Sequence, residues 1–375
     1  MKIYWITEIH TNTLYKSSRI ELSNALRKRG HGVRVVLERD INEKQISDNE
    51  YITFPTIDVR IINKIVFGLY LSFFLPLIIK KEKIDFIILD GADVWALFLI
   101  PLILEKIPIL IDLRALKLDR PLSLESCFFS TSIYFSKCFF IGFTTITPEL
   151  KEMLIKKYKI KDDKIGIWSS GVSVDKFKTP DYPPVNKKDL TLMYHGSYQK
   201  MRGIENAIEA LSKINPELKN NVKLIFIGFN KNQIEQLLTI CKKFNVSNQV
   251  KFVPPIEHDK VTTLISACDA GIIPLPPENE WCRVSASLKT LEYLAMSKPI
   301  IATCIPFHKR IFEYGTCGIL IKNSEPDTIA QAIIELHQRK EELEDMGKIG
   351  RKIVEQYYTW DEKALDLEKF IYSII

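Results

Sequence analysis

Glycine is scarce in this sequence, 15 of 375 residues, and no G-x-G-x-x-G cluster occurs anywhere. A dinucleotide-dependent oxidoreductase needs that cluster after a strand, with an acidic residue about twenty positions on, so this class is disfavoured. Cysteine pairs are lacking too. The seven cysteines (127, 138, 241, 268, 282, 304 and 317) are odd in number and form no C-x-x-C pair, which argues against a zinc module and for reduced thiols in a cytoplasmic protein. Charge of one sign is also missing. The 52 Lys and Arg are dispersed among 46 Asp and Glu, a balance that implies modest attraction to anions and no nucleic-acid binding.

No apolar run reaches the length of a membrane-spanning helix. The longest, Ile65–Ile79, has fifteen residues and contains Pro76. It reads either as a helix buried against a sheet or as an interfacial helix flanked by Arg60, Lys64, Lys80, Lys81 and Lys83. A second aromatic-rich run, Cys127–Phe143, adds weight to a peripheral membrane contact in the same half. The opening MKIYWITEIH turns polar before an apolar signal-peptide core forms, and reads as a first strand.

What is present is an alternation of short β-branched runs with longer helical patterns, over a length suited to two domains with a cleft between them. Strands are predicted at Ile3–Ile6, Val33–Leu37, Phe86–Leu89, Ile109–Ile111, Thr144–Ile146 and Ile165–Ile167. The proline-rich KTPDYPPVNKKD, Lys178–Asp189, is the predicted linker. A second series follows at Leu190–Tyr194, Lys223–Ile227, Gln249–Phe252, Ala270–Ile273, Pro299–Ala302 and Gly318–Ile321, with closing helices over Asp327–Arg339, Glu341–Tyr358 and Asp361–Ile374. The fold class is α/β, two doubly wound Rossmann-like domains over 1–180 and 181–355, with 356–375 as a helix packing back on the first.

Doubly wound sheets bind phosphate where a loop enters a helix at the carboxyl ends of strands. Two segments fit. In YHGSYQKMRGIENAIEAL, Tyr194–Leu211, a Gly-Ser turn is followed by Lys200 and Arg202 just before Gly203 and an amphipathic helix; Arg202 is either a diphosphate ligand or a solvated surface charge. In SASLKTLEYLAMSKPIIAT, Ser285–Thr303, small residues precede a helix that carries Lys289 and Glu292. Glu292 can face the same pocket and hold a ribose diol, or pair with Lys289 on a wet face.

The order of the pieces resembles the GT-B glycosyltransferases, specifically the retaining family four. IGIWSSGVSVDKF (Ile165–Phe177) looks like the family's turn after a strand, with Ser169 and Ser170 in place of Pro and Asn. YHGSYQKMRGIENAIEAL, KLIFIGFN (Lys223–Asn230), VKFVPPIEHDKVTTLISACDAGIIPL (Val250–Leu275) and LKTLEYLAMSKPIIAT are similar, in order, to the family's basic helix start, glycine loop, base-side strand and glutamate helix. The resemblance implies Arg202 on the donor diphosphate, Glu292 on the ribose, N–H groups of Ser287 and Leu288 on phosphate with Lys289 adding charge, Pro255 and Ile256 against the base, and Gly196, Ser197 and Gly228 in loops lining the donor.

Three departures stand out. The family's arginine after the glycine is Ser197 here, so Lys200 or Lys289 must supply that charge if it is supplied. Its earlier glutamate falls on Val284, with Glu278 or Glu280 as stand-ins. Its glycine-rich first loop is replaced by EIHTNTLYKSSR, Glu8–Arg19, leaving His10, Lys16 and Arg19 as acceptor-side candidates, and Asp112 and Arg114 as further catalytic candidates or an internal ion pair.

What the resemblance implies is retaining transfer from a nucleotide-diphosphate sugar to a glycan or lipid-linked acceptor, in surface polysaccharide or glycoconjugate synthesis. No Asp-x-Asp occurs in the chain, so neither a metal nor another cofactor is expected. The location expected is cytoplasmic, at the inner face of the membrane. A sugar-nucleotide epimerase and a degenerate binding or scaffold protein are the alternatives.

Overall fold

The computed structural model describes residues 1–10, 16–40, 46, 48–56, 60–91, 106–114, 124–178 and 189–375, without the side chains at 8, 9, 16, 17, 40, 56, 60–63, 124, 125, 258 and 259. Two compact units result, Met1–Ser170 with Trp360–Ile375, and Gly171–Thr359.

The first unit is built on a parallel sheet of β1 (Lys2–His10), β2 (Gly32–Asp40), β3 (Tyr51–Thr56), β4 (Phe86–Asp90), β5 (Ile109–Leu113), β6 (Gly142–Thr145) and β7 (Ile165–Ile167), in the order β3-β2-β1-β4-β5-β6-β7. The central strands β4 and β5 are near-continuous apolar runs, as strands covered on both faces tend to be, and β6, GFTT, is buried along its whole length. Strand β3 was not predicted. It contains Pro55, which costs little here because β3 is an edge strand and one side of its backbone has no ladder partner.

The second unit repeats the plan with β8 (Leu190–His195), β9 (Val222–Ile227), β10 (Val250–Val253), β11 (Ala270–Ile273), β12 (Ile300–Thr303) and β13 (Gly318–Ile321). Their order is β10-β9-β8-β11-β12-β13, again parallel. Strand order reverses between β1 and β4 in one unit and between β8 and β11 in the other. In doubly wound sheets the crevice at the carboxyl ends of such a pair is where ligands bind.

The division, between Ser170 and Gly171, falls seven residues before the predicted linker, whose residues 179–188 lie outside the described set. Hydrogen bonding explains the shift. The Val172 N–H donates to Tyr358 O at 2.8 Å, and the Arg351 guanidinium donates to Phe177 O at 2.6 Å, to Val174 O at 3.2 Å and to Ala295 O, so Gly171–Phe177 is strapped into the second unit. The last helix, Trp360–Ile374, belongs to the first unit. Its Glu368 pairs with Arg29 and, at 2.7 Å, with His31, and its Phe370 ring lies where a Cβ on Gly166 would stand 2.3 Å away.

The run Ile65–Ile79 forms the middle of a helix, Arg60–Glu82, with one buried and one exposed face. Phe67, Leu71, Leu75 and Ile79 are buried, whereas Ile65, Leu69, Phe73 and Leu77, on the opposite face, are exposed, Phe73 by 72%. No helix of the described residues is long and apolar enough to cross a membrane.

Candidate functional site

Strand β8 ends at His195 and the chain turns sharply at Gly196, φ +115°. Gly228 after β9 comes so close that a Cβ on it would stand 3.0 Å from Gly196 O, and its N–H donates to Val253 O at 3.0 Å, which sets the β10 loop with exposed Pro255 and half-buried Ile256 beside it. After Gly196 a single 3-10 turn, Lys200–Arg202, leads into Gly203, at φ +71°, and the helix Ile204–Ala210. Gly203 packs on the chain leaving β11, where a Cβ would meet Pro274 O at 2.0 Å. That contact clamps Arg202 at the β8/β11 switch point.

Arg202 is buried, not the solvated surface charge the sequence left open. Its Nε donates to Gln199 Oε1 at 3.0 Å, its Nη1 lies 3.4 Å from Ser197 O and 3.5 Å from Tyr194 Oη, and the guanidinium sits 5.2 Å from the Trp281 ring centre. No carboxylate among the described residues pairs with it, and Nη2 makes no hydrogen bond to them. Lys289 approaches from the other side. Its aliphatic stem covers Gly196, with Cε 2.6 Å and Nζ 3.1 Å from where a Cβ would be, and Nζ stands 5.2 Å from the Tyr194 ring centre. Lys289 likewise has no anionic partner among the described residues.

Two cations thus meet around Tyr194 without a counter-charge among the described residues. Beside them Ser287 and Leu288 open the helix Leu288–Ala295, whose first turn has no side-chain cap. Such N–H groups and the positive end of the helix dipole favour an anion. Of the two cations that the sequence offers in place of an arginine at Ser197, Lys200 and Lys289, it is Lys289 that covers the neighbouring Gly196.

Glu292 does not pair with Lys289 on a wet face. It is buried, and Oε2 lies 2.5 Å from His195 Nε2. The helix is fixed from below by His308, buried and pushed down to about 4 by desolvation, hence neutral. Its Nδ1–H donates to Thr303 O at 2.8 Å, so Nε2 accepts from Thr290 Oγ1 at 3.0 Å. Val284 is buried, and Glu278 and Glu280 are both exposed.

A second polar cluster lies at the carboxyl ends of β1, β4, β5 and β6 in the first unit. Asp90 accepts from Arg19 at 2.8 Å and from Thr7 Oγ1 at 2.9 Å. Its register partner Asp112 is fully buried, and Oδ1 accepts from Thr144 Oγ1 and Trp168 Nε1, both at 2.8 Å. Asp112 therefore bonds to these two rather than to Arg114, whose guanidinium lies 4.5 Å from the Trp168 ring centre. Asp112 Oδ2 and Arg114 Nη1 are buried without hydrogen-bond partners among the described residues. His10 closes β1 half-buried; Lys16 opens the helix Lys16–Lys28, its side chain lying outside the described set.

Burial pushes Asp112 up to about 6, with Asp90 adding to the rise and Arg114 opposing it. A carboxyl whose folded value is raised binds its proton more tightly in the native state than in the unfolded chain. Its contribution is therefore fully present below about pH 4 and lost as pH rises through about 6. Asp112→Asn keeps the acceptor for Thr144 and Trp168, so its stability relative to wild type is expected to improve by roughly 3 kcal/mol between pH 4 and pH 7.5. Denaturant midpoints at the two pH values check this; a constant difference would refute it.

Comparison with known proteins adds to this geometry. The family described as "Glycosyl transferases group 1" matches residues 175–353, and "Glycosyltransferase Family 4" matches residues 19–176. The chain belongs to the group 1 glycosyltransferases. An uncharacterised glycosyltransferase of Methanocaldococcus jannaschii is 21% identical over 234 residues, 61% of this chain and 58% of that protein. The chain spans 58%, 57% and 48% of the lengths of three curated relatives it matches.

Among solved structures, sucrose-phosphate synthase from Thermosynechococcus elongatus superposes with TM-score 0.77 at 15% identity, covering 99% of this chain and 98% of that one. HepE of Anabaena, in complex with UDP, gives 0.74 at 13% identity, covering 100% of both chains. These likenesses establish the GT-B fold of this glycosyltransferase family member.

The residues that sequence reasoning missed, and that the structure places in contact with the candidates or with one another, are Tyr194, His195, Trp281 and Tyr293 in the second unit and Thr7, Asp90 and Trp168 in the first. Asp90 had left a signal. FIILD and ILID both place an aspartate after an apolar strand run, and parallel pairing brings the two carboxylates side by side.

Proposed function

We propose that this protein transfers a glycosyl group from a nucleoside-diphosphate sugar to a hydroxyl of a glycan or lipid-linked glycan, with retention and without a metal. The observation that carries the proposal is the pair of cations, Arg202 and Lys289, uncompensated among the described residues, at the uncapped helix start of Ser287 and Leu288. Bringing two positive groups together without an anion costs electrostatic free energy, which a bound diphosphate would offset. HepE, a protein of the same fold, is in complex with UDP, which supports a nucleotide-sugar donor.

In the reaction, the bond from the sugar's anomeric carbon to the diphosphate oxygen breaks as charge builds on the leaving group. Arg202, Lys289 and the helix N–H groups stabilise that charge, a role that commonly accounts for most of the rate gain. The acceptor oxygen bonds to the same carbon on the same face, and its proton passes to the departing phosphate oxygen. No protein base is then needed at the anomeric centre, in keeping with Val284 where the family has a carboxylate. Asp112 and Arg114, each with a buried atom that has no hydrogen-bond partner among the described residues, are the acceptor-side groups we assign.

The test is a panel of UDP, GDP and ADP sugars, followed by slow release of nucleoside diphosphate and by calorimetric binding, with Arg202→Ala as the silent control. Binding and release with one base class are expected; no binding to any donor or nucleoside diphosphate would overturn the proposal.

The same reading places the acceptor at a membrane surface. On the helix Arg60–Glu82 the exposed stripe Leu69, Phe73 and Leu77 is followed by exposed Lys80, Lys81 and Lys83, an apolar face with a basic end that matches an anionic bilayer. The protein is expected to float with vesicles containing anionic lipid at low salt. Phe73→Asp with Leu77→Asp, two changes at exposed positions, is expected to weaken that binding at least about tenfold, each buried apolar side chain contributing roughly 2 kcal/mol. Failure of the wild type to float would sink the membrane assignment alone.

A further inference from the structure

The hydrogen bonds around His195 can be assigned proton by proton. Tyr293 Oη lies 2.8 Å from Met193 O, and a carbonyl only accepts, so the tyrosine spends its single proton there. Burial holds the phenol well above its ordinary range, so that proton stays. His195 Nδ1 is 3.0 Å from the same phenol oxygen and must therefore donate to it. On the other side of the ring, His195 Nε2 is 2.5 Å from Glu292 Oε2. A lone pair facing a carboxylate at that distance would be repulsive, so a second proton lies between them, whether as imidazolium with carboxylate or imidazole with carboxylic acid. Either way the pair carries no net charge.

We infer that His195 is a positioning residue for the nucleoside ribose: it fixes the plane of the Glu292 carboxyl through Oε2 and removes the net charge that would repel the donor diphosphate. The inference rests on the donor-site reading above. Its physical basis is that a bare carboxylate near a diphosphate pays a Coulomb penalty, whereas the neutral pair still offers oxygen to a diol. The fold is arranged around the pair. Gly271 in β11 leaves the space occupied by the Tyr293 ring, where a Cβ would stand 2.4 Å from the nearest ring atom, and so lets the phenol reach under β8. His195 ends β8 and Glu292 lies 97 residues later, so only the folded sheet brings them together.

The experiment compares a ribonucleoside diphosphate with its 2′,3′-dideoxy analogue, by calorimetry, in wild type, His195→Gln and His195→Asn. Glutamine places its amide near the Nε2 position and can still donate to Glu292; asparagine places its amide near Nδ1 and cannot. Wild type is expected to prefer the ribo form by about tenfold or more, His195→Gln to keep most of that preference, and His195→Asn to lose it, with donor KM rising more than kcat falls.

The outcomes separate the readings. No binding of either nucleotide by wild type would overturn the donor-site reading itself, and equal binding of both would remove Glu292 from the ribose. A ribo preference unchanged in both variants would leave His195 a structural link and overturn the inference. The histidine 15N spectrum tests the proton assignment without any variant: an unprotonated Nδ1 at His195 would refute it.

Discussion

Arg202→Ala is expected to lower kcat/KM for sugar transfer by roughly 100- to 1000-fold, most of it in kcat, because in the proposed mechanism the guanidinium meets charge that grows only as the diphosphate leaves. The side chain is already buried between the Trp281 ring and the Tyr194 hydroxyl, so no ordering is needed on binding. Removing it also takes away one of the two cations that flank Tyr194, leaving Lys289. Arg202→Lys should recover part of the loss, since the family carries lysine at this place, but not all of it, as an ammonium cannot reach Gln199 and a phosphate with the same fork. Steady-state kinetics with the donor found by the panel, together with circular dichroism to show the fold intact, decide the matter. An alanine variant within threefold of wild type would take Arg202 off the diphosphate.

Gly203→Ala is the variant expected to damage the fold most. At φ +71° an L side chain is strained, and its Cβ would stand 2.0 Å from Pro274 O, a backbone atom that cannot move without shifting the chain after β11. A cost of about 3 kcal/mol or more is expected, equivalent to a fall of roughly 6–12 °C in Tm for a unit of this size. Gly30→Ala isolates the backbone part: its φ is +90° but nothing lies within 4 Å of the added carbon, so about 1 kcal/mol is expected there. Thermal scans of the two variants side by side make the comparison. Equal losses would mean that the Pro274 contact relaxes freely and that Arg202 is not clamped by it.

Much of the fold was legible because parallel strands covered on both faces tend to be apolar over their whole length, and such runs as FIILD and GILI are visible in any window of the sequence. Tyr51–Thr56 was not legible, because proline argues against a strand unless the strand is known to be an edge. The shared boundary near Ser170 was hidden for a similar reason: a proline-rich stretch marks where the chain is irregular, whereas the division depends on Arg351 and Tyr358 capturing Gly171–Phe177 from almost two hundred residues away.

The same distinction runs through the site. The sequence by itself determined the family and the two doubly wound units and singled out Arg202 and Glu292 as candidates, since these follow from local periodicity and from the order of motifs along the chain. Only the tertiary structure decided which charges are paired. It laid Lys289 over Gly196, gave Glu292 to His195 instead of Lys289, and turned Asp112 toward Thr144 and Trp168 instead of Arg114. Each of these is a contact between strand ends or helix starts far apart in sequence. Periodicity reports which face of an element is buried; it does not report which neighbour the sheet order will place against that face.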